Sequence, residues 1–152
     1  DCEDVGLHVP ALPPELRQEL KAFTPLTGVG LSNPIDTAAE VYWNGLSFAR
    51  TVKVVADFEE IDAMLVVIAV VYAVMRGTQM LKDQINAISQ VAKDMDKPVL
   101  MVLRTSNIVE AELAAADIRE ECIAAGLPVY PSVRTAAMAL NQLISYHESR
   151  NR

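Results

Sequence analysis

Ala63-Met64-Leu65-Val66-Val67-Ile68-Ala69-Val70 is an unbroken apolar run, rich in β-branched residues and without a polar alternation. Such a run predicts a strand covered on both faces, as in a parallel sheet, and not the half-wet strand of an antiparallel one. Downstream, Leu81, Ile85, Ile88, Ala92 and Met95 recur at helical spacing and give one apolar helix face. Pro98 to Leu103 reads as the next strand. Ala111, Ala115, Ile118, Cys122 and Ala125 repeat the helical spacing, and Gly126 closes that helix. Leu127 to Tyr130 follows as a short strand, and Val133, Ala137, Leu140, Ile144 and His147 line a last helix. Strands alternating with helices of this length predict an α/β domain, a parallel sheet wrapped by helices on both faces.

Upstream of the run the pattern is less regular. Asp1 to Val5 reads as a last helical turn stopped by Gly6, and Leu7-His8-Val9 as a short strand before Pro10. Leu12, Leu16, Leu20 and Phe23 predict a helix entered at Pro13 and Pro14. Thr24 to Asp36 is rich in turn residues, and a helix from about Ala38 to Phe58 carries Trp43, the only tryptophan. No internal repeat, low-complexity tract or linker interrupts residues 1–152, which read as one domain.

Composition narrows the function classes. The chain has 152 residues, 51% hydrophobic and 22% charged, which suits a packed core and excludes disorder as the main state. A formal net charge of −7 argues against nucleic acid and against anionic membranes, since both need a basic surface. Ala63 to Met75 is too short an apolar run to span a bilayer, which needs about 20 residues. Cys2 and Cys122 form no CxxC pair, and the acidic Asp1-Cys2-Glu3-Asp4 is no basic n-region, so the expected setting is a reducing cytoplasm. The absence of an initial Met fits a piece of a longer polypeptide.

Candidates for chemistry are few. Ligands of open α/β sheets bind beyond the carboxyl ends of the strands. The loops in question are Ser32 to Asp36, Tyr72 to Thr78, Arg104 to Asn107 and Tyr130 to Arg134. Arg76, Arg104 and Arg134 are suited to a phosphate or carboxylate, and Ser106, Asn107 and Ser132 to anion donation or to plain helix capping. Asp57, Glu59, Glu60 and Asp62 could hold a metal or accept a phosphoryl group, as in response-regulator receivers. They precede a strand, however, and read as a solvated acidic loop. His8 and His147 lack partners at metal-ligand spacing, Cys122 reads as core, and no metal site is expected.

Three segments resemble one family. The first is Asp1-Cys2-Glu3-Asp4-Val5-Gly6-Leu7-His8-Val9-Pro10-Ala11-Leu12, a helix end followed by a Gly-Leu-x-Leu-Pro-x-Leu pattern. The second is Ser32-Asn33-Pro34-Ile35-Asp36-Thr37. The third joins Lys97-Pro98-Val99-Leu100 to Gly126-Leu127-Pro128-Val129-Tyr130 and the Ala136-Ala137-Met138-Ala139-Leu140 helix ending near Tyr146. In order and spacing, across nearly the whole chain, they are similar to the flavodoxin-like CoA-ligase domain of ADP-forming acetate–CoA ligases, relatives of succinyl-CoA synthetase. The resemblance implies a multi-domain, NDP-forming acyl-CoA synthetase. It would interconvert acyl-CoA, NDP and phosphate with carboxylate, NTP and CoA through an acyl phosphate and a phosphohistidine.

CoA, ADP or ATP, and Mg would be bound by the parent enzyme, none of them by this chain alone, and the partners would be its CoA-binding and ATP-grasp parts; a homo-oligomer is left open. The family's Ser-His-Thr-Gly segment, ATP-grasp region and Gly-rich phosphate loop are absent, so the chain alone is expected to be inactive. Asn33, Pro34 and Asp36 would form a rigid loop capping the helix that starts at Ala38. With Arg104 and Ser132, Asn33 and Asp36 complete the set of anion-contact candidates; no catalytic residue is assigned. A flavodoxin-like sheet runs 2-1-3-4-5, so its first strand and Gly-rich loop are expected before Asp1, and their loss is expected to expose an edge near Val29. The alternative is a non-catalytic interaction or regulatory module on the same fold, because fold does not determine function.

Overall fold

The computed structural model describes residues 1–24, 30–36, 45–95 and 97–150. Its centre is a parallel sheet of β3 (Met64–Ala69), β4 (Val99–Arg104) and β5 (Val129–Tyr130), in that spatial order. Met64 pairs with Val99 and Ala69 with Arg104, while Met101 pairs with Val129 and Val102 with Tyr130. β4 is central and covered on both faces, and all its residues but Arg104 are buried.

Periodicity explains the helices. α4 (Gln79–Asp94) turns Leu81, Ile85 and Ile88 inward, and α5 (Val109–Ala124) turns in Ala111, Ala115, Ile118 and Cys122. Together with Val52 of α2 (Gly45–Ala56) they pack on Ile68, Val99, Met101 and Leu103 as the main core. Each large apolar side chain fully buried this way is worth about 1.5–3 kcal/mol relative to exposure. On the opposite face, Ala136 and Leu140 of α6 (Val133–Arg150) pack on Leu100 and Val102, with Leu7, Ala63 and Leu65 alongside. The short α3 (Val71–Arg76) continues from the end of β3.

The closures are those expected of their residues. Gly126 adopts φ 80°; its N–H donates to Ile123 O at 3.0 Å and the Leu127 N–H to Cys122 O at 2.9 Å. This paired 5→2 and 6→1 arrangement ends α5 and turns the chain into β5. At the start, Glu3–Val5 is a 3-10 turn stopped by Gly6 at φ 95°. Lys97 Nζ donates to Ala56 O (3.1 Å) and Phe58 O (2.7 Å), which satisfies carbonyls at the end of α2.

A second cluster forms beside this core. α1 (Pro14–Phe23) buries Leu16 and Leu20, and packs with Leu12, Leu31, Val55 and Ile61. Leu31 comes from β1 (Gly30–Leu31), an antiparallel ribbon with β2 (Ile35–Asp36).

Several expectations change. Leu7-His8-Val9 is not a strand: Leu7 packs under α6, and the segment pairs with no described strand. Val29 lies outside the described residues, and its neighbours Gly30 and Leu31 pair with Ile35 and Asp36 instead of joining the parallel sheet. The unpaired edge belongs to β3. Met64 and Val70 donate to Pro98 and Arg104 carbonyls, at 2.9 Å each, so the backbone groups of Leu65, Val67 and Ala69 point the other way. No described strand meets them. β3 is only partly covered on the α6 face: Ala63 and Leu65 pack with Ala136 and Leu140, but Val67 on the same side is left 40% exposed. The helix expected from Ala38 to Phe58 is described only as Gly45–Ala56; residues 37–44, Trp43 among them, lie outside the described residues.

Candidate functional site

The strands of a parallel sheet point their carboxyl ends one way, and the loops there are β3 to α3, β4 to α5 and β5 to α6. Val102 lies beside Tyr130, so Arg104 and Ser132, each two residues on, reach the same level of neighbouring strands. Arg104 is exposed at the last position of β4, and its carbonyl accepts from the Val70 N–H. Its guanidinium thus stands at the carboxyl edge where an anion would be met.

Ser132 is the N-cap of α6. The Thr135 N–H donates to Ser132 Oγ at 3.1 Å and the Ser132 N–H to Thr135 Oγ1 at 3.2 Å. This is a reciprocal capping box with Thr in the usual Glu position. The cap fixes the start of α6 beside Arg104, and the helix dipole adds partial positive charge at that edge. Between β4 and α5, Ser106 (φ 56°) and Asn107 (φ 59°) both occupy the left-handed region. Asn tolerates it and Ser does so only at some cost, so the turn is held by its surroundings. Thr105 Oγ1 donates to the Glu112 carboxylate and ties the loop to the first turn of α5.

The other candidates lie elsewhere. Asn33 has φ 90° and its Nδ2 donates to Pro10 O at 2.9 Å, so its side chain ties the ribbon to the segment entering α1. Asp36 is exposed at the end of β2. The neighbouring ribbon residues Leu31 and Ile35 pack with α1, Val55 and Ile61, the last of which precedes β3. The capping of a helix at Ala38 lies outside the described residues, as does the side chain of Arg76. Arg134 is exposed in the first turn of α6. The structure therefore brings Arg104, Ser132 and Arg134 toward one edge and gives Asn33 a separate structural contact.

The remaining polar groups are quiet. Asp57, Glu59, Glu60 and Asp62 are exposed ahead of β3, and Asp57 pairs with Lys53 at 2.8 Å. No cluster of three or more His, Cys, Asp or Glu residues suited to a metal occurs among the described residues. His8 and His147 are exposed, His147 edge-on to Tyr146. Burial pushes the Cys122 thiol up to about 11, as befits an inert core cysteine. No described helix is long and apolar enough to cross a membrane. A shallow depression of about 420 Å³ lies on α1, lined by Pro14, Arg17, Gln18 and Lys21. It is open, remote from the strand ends, and without convergent chemistry.

Two features escaped the sequence reading. Gln84 is 1% exposed on α4, and neither side-chain amide atom has a hydrogen-bond partner among the described residues. An isolated Gln in an amphipathic helix gives no sign of this, since only packing decides whether it is buried. The other is the outer face of α5, where Val109, Leu113 and Ile123 are exposed; its spacing was readable but hidden behind the stronger inner stripe.

Comparison of the chain with protein-family models, with curated proteins and with solved structures finds no match.

Proposed function

We propose that the chain is a flavodoxin-like CoA-ligase domain of an NDP-forming acyl-CoA synthetase, acting only together with CoA-binding and ATP-grasp parts. The observation that carries this reading is the order β3-β4-β5 with an unpaired β3 edge among the described residues. In a 2-1-3-4-5 sheet, strands 3, 4 and 5 are consecutive in this way, and strand 3 is the one that awaits strand 1. The ordered Gly-Leu-His-Val-Pro, Asn-Pro-Ile-Asp and Gly-Leu-Pro-Val-Tyr segments support the same reading. Within such an enzyme Arg104 and the capped start of α6 are suited to the anionic groups of CoA or an acyl phosphate. The phosphohistidine, CoA, nucleotide and Mg belong to the other parts, and the shared setting is the cytoplasm.

The test is thioester formation from a carboxylate, CoA and Mg-ATP. The chain alone should form none, and addition of the CoA-binding and ATP-grasp parts of an NDP-forming synthetase should restore it. Thioester made by the chain alone and lost on Arg104→Ala, or no restoration on mixing, would overturn the proposal.

One observation favours the second reading, a non-catalytic interaction module. The segment after β3, where a ligand loop is expected, exposes Tyr72, Val74 and Met75. An apolar surface at that place suits a protein partner better than a small polar ligand.

A further inference from the structure

We infer that the outer face of α5 is a docking seam for a cationic amphipathic helix of another protein. A surface helix normally carries one apolar stripe, turned to its own core. α5 buries Ala111, Ala115, Ile118 and Cys122 on its inner side. On the far side Val109, Leu113, Ala116, Glu120 and Ile123 follow at intervals of four, three, four and three residues, the a/d spacing of paired helices. All five are exposed, Val109 and Leu113 at 70% and Ile123 at 62%.

Charge selects the occupant. Glu120 holds a core position of this seam, one step from Ala116 and one from Ile123. A helix laid over it takes the carboxylate out of water, which is costly unless a cation meets it. An apolar helix supplies none. A second copy supplies none either: antiparallel about Ala116 it sets Glu112 and Leu113 against Glu120, and parallel it sets Glu120 against itself. A Lys or Arg at the facing position meets Glu120 while its stem lies along the neighbouring apolar side chains.

The flanks ask for the same sign. Glu110 and Asp117 border the seam on one side, Glu112 and Arg119 on the other, so Arg119 is the single cation among them. Glu110, Glu112, Asp117 and Glu120 form no salt bridge among the described residues. Lys82 of α4, near Asp117, is bonded to Glu121. The net charge of −7 adds long-range attraction for a basic partner. The recognised segment is therefore a helix with aliphatic residues at a and d, Lys or Arg facing Glu120, and basic flanks.

The probe is a synthetic helix of about three heptads with Leu at a and d, one Lys facing Glu120 and Lys on both flanks. It is titrated into the whole chain and followed by fluorescence anisotropy and amide chemical shifts. Saturable binding is expected, with shifts concentrated on α5. A peptide of the same composition with its Leu residues scattered around the helix should bind at least tenfold more weakly. So should the original probe to Leu113→Ser or to Glu120→Lys, both exposed positions whose circular dichroism should stay unchanged. Exchanging the probe's facing Lys for Glu should restore binding to Glu120→Lys. No binding, equal binding by the scattered peptide, indifference to either substitution, or no restoration in the exchanged pair would each overturn the inference, as would a chain that dimerises through α5 instead.

Discussion

Replacing Gln84 with Met should make the protein more stable, although it removes a polar side chain from a helix already well formed. Gln84 sits on the inward side of α4 with Met80, Ile88 and Val91 on the same stripe, all part of the main core. Its amide oxygen and nitrogen are both buried without a partner among the described residues. An unsatisfied buried polar group costs about 1–3 kcal/mol. Met is also unbranched and of similar length, so little is subtracted for a cavity or for overpacking. The net gain should be about 1–2 kcal/mol, and each kcal/mol raises the melting temperature of a domain this size by roughly 2–4 °C. Urea titration and thermal melting of both proteins measure it, with Ile85→Ala as the opposing control; Ile85 is 2% exposed, and its truncation should cost about 2–5 kcal/mol. If Gln84→Met lowers the urea midpoint, the amide has a partner in solution, and the reasoning from burial fails.

Gly126→Ala should cost about 1 kcal/mol through its φ of 80°, since a Cβ there meets nothing within 4 Å; an unchanged urea midpoint would refute the strain argument. Ser132→Ala should cost about 0.5–2 kcal/mol by removing the cap of α6, measured as helix loss and lowered melting temperature, while Ser132→Asp should recover most of it. Burial, with the nearby Glu121 carboxylate, raises the Cys122 thiol from its ordinary 9.0 to about 11. Its contribution is therefore complete below about pH 8.5 and should fade as pH rises toward 11; Cys122→Ala should flatten that alkaline loss, as urea midpoints across the range would show.

The strands of the parallel sheet were legible as apolar runs, β3 as an unbroken one and β4 and β5 as short ones opened by Pro98 and Pro128. Coverage of β3 was not legible. Apolar content shows that a strand can be buried on both faces, but whether it is depends on the helices laid over it, and these leave Val67 of β3 40% exposed while burying all of β4 but Arg104. Leu7-His8-Val9 has strand-like residues and still packs as an extended tether under α6, because strand formation needs a ladder partner as well as composition. Leu31 similarly pairs with Ile35 across a local turn and does not join the parallel sheet.

For the candidate site, Arg104 and Ser132 were legible for one reason: each is the first polar residue to follow an apolar strand. Asn33 was singled out for the same turn chemistry, but its amide reaches back to Pro10, a contact that no local spacing announces. The same limit applies to α5. Its two apolar stripes are both visible in the sequence, but periodicity cannot say which one meets the sheet. The inner one is the smaller on balance: Ala111, Ala115 and Cys122, with Ile118 the single large residue among them, let the helix come close to the sheet, whereas Val109, Leu113 and Ile123 lie outward. Size therefore orients the helix where hydrophobicity alone leaves it balanced, with Val109, Leu113 and Ile123 left facing outward.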